Sequence, residues 1–91
     1  IGVSIYDATN YFSGETGLYV EYVEKDGPAD KAGLKKGDKI IKVGDVEVNN
    51  SSYFRYQLYK YNIGDKVKIT VSRNGSEKTL TVTLTGSGTK N

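Results

Sequence analysis

The 91 residues predict one small α+β domain of five to six strands and two helices, and three observations carry that reading. The stretch Lys66 to Leu84 alternates apolar and polar residues on both sides of an Asn74-Gly75 turn. Between Gly27 and Val48, four of the eleven glycines and the only proline punctuate short apolar pairs. From Tyr53 to Tyr61, apolar side chains recur at the spacing of a helix. A chain of this length buries roughly 60–65% of its unfolded surface, enough for one core.

Taken in order, Ile1, Val3 and Ile5 alternate as a strand start, and Tyr6 to Gly17 reads as a polar loop. Leu18 to Glu24 is a strand with Leu18, Val20 and Tyr22 on one face and Tyr19 and Val23 among the residues of the other. Pro28 suits the first turn of a short helix, because its missing N–H has no intrahelical partner to lose. Gly33 is placed to end that helix in the left-handed conformation, and Leu34 follows as a core anchor. Lys35 to Asp38 is a turn with Gly37 free to take positive φ. Ile40, Ile41 and Val43 form a strand that packs on both faces, and Gly44-Asp45 fits a two-residue hairpin with glycine first.

Ser52 is a candidate N-cap for the helix Tyr53 to Tyr61. Phe54, Leu58 and Tyr61 share one stripe of it, and Tyr53, Gln57 and Lys60 form the neighbouring stripe. In the closing hairpin Val67, Ile69 and Val71 alternate with polar residues before the Asn74-Gly75 turn, and Leu80, Val82 and Leu84 alternate after it. The domain is expected to end near residue 85, with residues 86–91 a disordered tail.

Composition narrows the function. A net charge of +2, with lysines dispersed among acids, argues against nucleic acid as a partner. The absence of histidine removes the usual base for a serine nucleophile and the commonest zinc ligand; the absence of cysteine removes disulfides and thiolate sites. No catalytic residue, metal or cofactor is expected within the chain. Asp26, Asp30, Asp38 and Asp45 lack the spacing of a calcium loop and read as solvated turn residues. The glycine-rich tail is not framed by a strand and a helix, so it is no phosphate loop. Three N-glycosylation acceptor patterns, starting at Asn49, Asn50 and Asn74, are also ordinary turn chemistry. The eight tyrosines are spread too widely for a base-stacking platform and read as amphipathic packing. No apolar run approaches a membrane span, and no export leader is seen.

Taken together, "GPADKAGLKKGDKIIKVGDVEV", a helix, and "IGDKVKITVSRNGSEKTLTVTL" resemble the PDZ domain of bacterial HtrA/Deg-type serine proteases, in that family's permuted strand order. The resemblance implies a partly open β-barrel or sandwich and a non-catalytic module whose parent is a serine protease engaged in protein quality control. It implies binding of hydrophobic C-terminal segments of unfolded or substrate proteins by strand addition, with the terminal carboxylate held by backbone N–H groups.

Carried onto this sequence, Ile1, Gly2 and Val3 would be the carboxylate loop, and Val3, Ser4 and Ile5 the pairing edge. Phe54 and Leu58 would line the terminal pocket, with Gln57 and Tyr61 at its rim. In the opposite reading, Phe54 and Leu58 are core, and Tyr53, Gln57 and Lys60 face the groove. The family's loop carries at least one more residue before Ile1, whose absence would weaken anion capture. Gly44-Asp45 stands where Asn-Gly is common.

Affinity on the order of micromolar, about −8 kcal/mol, is expected. Other implied partners are the parent's own protease domain and, in a second reading, neighbouring subunits, with the isolated domain a monomer and the parent oligomeric. An extracytoplasmic, membrane-anchored parent is implied too.

Overall fold

The computed structural model describes residues 3–9, 13–14 and 16–84. Six strands form one antiparallel sheet: β1 (Val3–Thr9), β2 (Thr16–Val23), β3 (Lys39–Val43), β4 (Val46–Glu47), β5 (Lys66–Arg73) and β6 (Ser76–Thr83). Two helices, α1 (Pro28–Ala32) and α2 (Ser51–Leu58), complete it. The order across the sheet is β1-β2-β3-β5-β6, with β4 paired to β3. This is the α+β domain of five to six strands and two helices expected from the sequence, its strands joined in one open sheet.

The turns follow residue chemistry. Asn74 and Gly75 both take positive φ, as a two-residue turn of the I′ kind demands, and Arg73 pairs with Ser76 across it. Gly44 has φ +62 while Asp45 is not among the positive-φ residues, the pattern of a II′ turn joining Val43 to Val46. Gly33 ends α1 at φ 104, and its N–H reaches the carbonyls of Ala29 and Asp30.

The core gathers Leu18 and Val20 of β2, Ala29 of α1, Leu34, Ile40 and Val43 of β3, Val48, Phe54 of α2, Val67, Ile69 and Val71 of β5, and Val82 of β6. Leu80 and Leu84 pack at its margin, at their expected positions.

Four expectations are corrected. The stretch expected to be a loop from Tyr6 to Gly17 is partly strand, since β1 continues to Thr9 and β2 starts at Thr16. As an edge strand packed on one face only, β1 needs no further apolar run. Next, Tyr22 is exposed, not inward with Leu18 and Val20. Ser4 pairs with Tyr22 and Ile5 with Val20, leaving Glu21 as an extra residue; this bulge turns Val23 inward instead.

The third correction is that Asn50, not Ser52, caps α2: its side chain accepts from the Tyr53 N–H at 2.8 Å. Because α2 spans Ser51–Leu58, Tyr61 lies beyond its end. Finally, Asp38 is no solvated turn residue. It is 1% exposed and held by Arg73 of β5. The tail from residue 85 onward lies outside the described residues, and no described helix is long and apolar enough to cross a membrane.

Candidate functional site: a sheet edge beside α2

β1 stands at the end of the sheet order, paired with β2 on one side only. Its second row of backbone donors and acceptors is therefore open to an added strand among the described residues. Pairing fixes which side chains face the helix layer. Val3 opposes Val23, Ile5 opposes the buried Val20, and Asp7 opposes the buried Leu18, so Val3, Ile5 and Asp7 share the inner face. Ser4 and Tyr6 point the other way, where Tyr6 stacks on Tyr19 with ring centroids 5.8 Å apart.

Val3 and Ile5 are half-buried and pack against the core. Ile1 and Gly2, the other two residues expected in the carboxylate loop, lie outside the described residues.

The inner face of α2 carries Phe54, Gln57 and Leu58. Phe54 is 2% exposed and belongs to the core cluster, whereas Leu58 is half-buried at its margin. Gln57, expected at a rim, is buried at 4% exposure, beside Phe54 on the inner side of the helix. Tyr53 and Lys60, its stripe partners in the opposite reading, are both exposed, so that stripe does not stay together on one surface. Tyr61 is half-buried; its hydroxyl lies 2.5 Å from where a Cβ on Gly44 would sit, so it rests against the β3–β4 turn.

The solvent face of α2 is aromatic. Tyr53 stacks on Tyr56 at 6.2 Å, and the Lys60 ammonium sits 4.9 Å above the Tyr56 ring. Tyr59 and Ile63 are also exposed, so among the described tyrosines only Tyr19 and Tyr61 are half-buried and the others lie on the surface.

Two polar constellations eluded the sequence reading. Asp38 accepts from Arg73 Nε at 2.7 Å and Nη2 at 2.6 Å, and from the Lys35 N–H at 2.9 Å. Arg73 also donates to the Gly33 carbonyl at 2.8 Å. Burial pushes the Asp38 carboxyl up, but the Arg73 hydrogen bonds, the Lys35 N–H and the charges of both residues outweigh it, so its pKa lies below the usual carboxylate value. This network ties the end of β5 to the loop after α1.

The second constellation joins Asp7 of β1 to Ser51 at the start of α2, through the Ser51 N–H at 2.7 Å and hydroxyl at 2.8 Å. The serine singled out from the sequence was Ser52, and nothing pointed to Ser51 or to a partner 44 residues away. Among the described residues no group of three or more His, Cys, Asp or Glu side chains is placed to hold a metal ion.

A family model described as "PDZ domain" matches residues 1–84. Among curated proteins, a 70-residue match is 46% identical to the Do-like serine protease HtrB of Bacillus subtilis, covering 76% of this chain and 15% of that protein. The Do-like serine protease HtrA of Lactococcus lactis is 46% identical over 76 residues, 82% of this chain and 19% of that protein. A probable periplasmic DegP-like serine endoprotease of Rickettsia prowazekii is 37% identical, covering 93% of this chain and 18% of its own length. The chain thus spans less than a fifth of each of these relatives.

Among solved structures, the HtrA-type protease AlgW with a decapeptide superposes with TM-score 0.81 at 31% identity, covering 92% of this chain and 28% of that one. The HtrA3 PDZ domain bound to a phage-derived ligand superposes at 0.77 with 20% identity, over 91% of this chain and 81% of that one, a likeness of fold alone.

Proposed function

The chain belongs to the PDZ domain family, with HtrA- and DegP-type serine proteases as its curated relatives, and on that premise we propose that it is a peptide-binding module regulating or tethering substrate for such a protease. Its ligand is the hydrophobic C-terminal segment of an unfolded or substrate protein, added as a strand along β1. The observation that carries this reading is the edge of β1 beside α2, left unpaired among the described residues, with Val3, Ile5 and Leu58 half-buried around the intervening surface.

In this reading Ile1, Gly2 and Val3 supply backbone N–H groups to the carboxylate, and Val3, Ser4 and Ile5 pair with the ligand. Phe54 and Leu58 wall the pocket for the last side chain. Gln57 and Tyr61 close it from α2 and from the β3–β4 turn. The peptide-bound state of AlgW supports the assignment by analogy. Catalysis belongs to a protease domain elsewhere in the parent, whose extracytoplasmic, membrane-tethered placement is part of the same proposal, in keeping with the periplasmic relatives.

Fluorescence anisotropy tests the ligand class. An apolar-ended peptide with a free carboxylate is expected to bind with Kd on the order of micromolar, and its amide at least about tenfold more weakly. Equal affinity for acid and amide contradicts the proposal.

The exposed row of Tyr53, Tyr56, Tyr59 and Ile63 favours a second role, packing against the parent's protease domain or a neighbouring subunit. Protease activity of the parent with these tyrosines changed to serine, measured with and without activating peptide, separates the two roles. A change in activity without peptide supports packing, and loss of the peptide response alone supports ligand binding.

A further inference from the structure

The Asp7–Ser51 bridge crosses the surface along which an added strand would run. Asp7 lies on the inner face of β1, and its carboxylate holds the Ser51 N–H at 2.7 Å and the Ser51 hydroxyl at 2.8 Å. An aspartate side chain extends about 3.5 Å from Cα to carboxylate oxygen, given ordinary bond lengths. The backbones of β1 and α2 therefore approach to roughly 6 Å at this point. A strand added to a sheet edge sits about 4.8 Å out, and a helix packed on a sheet needs several more ångströms for side chains on its other side. That width is not available at Asp7 while the bridge is closed.

We propose, building on the peptide-binding reading above, that Asp7 and Ser51 form a latch that ends the groove and limits how many residues of a C-terminal segment pair with β1. Val3 to Tyr6 precede the latch, a span of about 13 Å that matches roughly four extended residues. A longer peptide must leave the sheet there or break the bridge.

The arrangement also explains why the bridge forms. Asn50 satisfies the Tyr53 N–H, which leaves the Ser51 N–H among the first-turn donors without an intrahelical acceptor. Asp7 supplies that acceptor from another element, and its negative charge favours the positive end of the α2 dipole. Ile5 and Leu58, the inner-face neighbours toward the other end of the groove, carry no charge that would compete for Asp7. The latch is exposed to water, so ligand binding can open it.

Calorimetry with two uncharged peptides tests the latch: a tetrapeptide with an apolar free C-terminus, and an octapeptide carrying the same last four residues behind a strand-compatible extension. The wild-type chain is expected to bind both within about twofold, whereas Asp7→Ala binds the octapeptide about fivefold more tightly than the tetrapeptide, the scale of one ordinary hydrogen bond at a water-exposed site. Ser51→Ala keeps the backbone bond and is expected to fall between them. It also carries the test if Asp7→Ala fails to give a native NMR spectrum. A gain of about fivefold or more from the extension in the wild type overturns the latch, as does an identical length ratio in wild type and variants. If neither peptide binds any form, the peptide-binding reading fails and the latch with it.

Discussion

Replacing Arg73 with alanine isolates the network that locks the loop after α1 to β5. The substitution removes two hydrogen bonds to Asp38, at 2.7 and 2.6 Å, and one to the Gly33 carbonyl at 2.8 Å. It leaves the Asp38 carboxylate, on a residue 1% exposed, with the Lys35 N–H as its one remaining hydrogen-bond donor among the described residues. Breaking a buried pair from one side costs about 3–5 kcal/mol, and because the Arg73 side chain is 21% exposed the lower end applies, about 3 kcal/mol. A domain of this size has roughly 5–13 kcal/mol of total stability, so the loss is a large share of it. The melting temperature is expected to fall by about 12–24 °C.

The pH dependence supplies the sharper signature. In the native protein the Asp38 pKa lies below its ordinary value of 3.8, so its contribution is fully present above about pH 4 and is lost as the pH falls through the lower, folded value. In Arg73→Ala, burial dominates and raises the carboxyl pKa above the unfolded one. The ionised form then destabilises the fold at neutral pH, and the penalty of the mutation shrinks as the pH falls toward 4. Urea denaturation of both proteins between pH 3 and 7 measures this. A penalty under about 1 kcal/mol, or one constant across that range, refutes the reasoning.

Three further predictions concern α2 and its surroundings. Phe54→Ala empties a core position and is expected to cost about 3–5 kcal/mol by denaturant midpoint, whereas Leu58→Ala, half-buried, costs under about 2 kcal/mol but weakens peptide binding severalfold. Gly44→Ala places a Cβ 2.5 Å from the Tyr61 hydroxyl at φ +62, so its penalty is expected to drop in a Tyr61→Phe background, where the next ring atom is 3.8 Å away; a double-mutant cycle reads the coupling. Asn50→Ala removes the cap on the Tyr53 N–H and is expected to cost about 1 kcal/mol, while Ser52→Ala stays within about 0.5 kcal/mol in the same thermal melt.

What the sequence made legible was local. The β5–β6 hairpin announces itself because alternation and Asn74-Gly75 act within neighbouring residues, and α1 because Pro28 opens and Gly33 closes a five-residue helix. The extension of β1 through Thr9 was hidden: an edge strand contributes few apolar side chains, and its polar Tyr6-Asp7-Ala8-Thr9 looks like loop. The bulge at Glu21 reversed the inside and outside of Tyr22 and Val23, and nothing in the alternation foretold it. The two polar ties, Asp7 to Ser51 and Asp38 to Arg73, join residues 44 and 35 positions apart. Such partners become visible only once the sheet order is known. The groove residues were assigned through family resemblance, and the structure adds that Gln57 is buried and that Tyr61 leans on Gly44.

The central claim, that a free carboxylate and an apolar C-terminus dock along β1, is tested most directly by NMR titration of the isotope-labelled domain with one such peptide and its amide. The account predicts shifts centred on Gly2, Val3, Ser4, Ile5 and the α2 residues Phe54 to Leu58, abolished by amidation. Shifts confined to the exposed Tyr53, Tyr56 and Tyr59 face, or equal shifts with the amide, would contradict it.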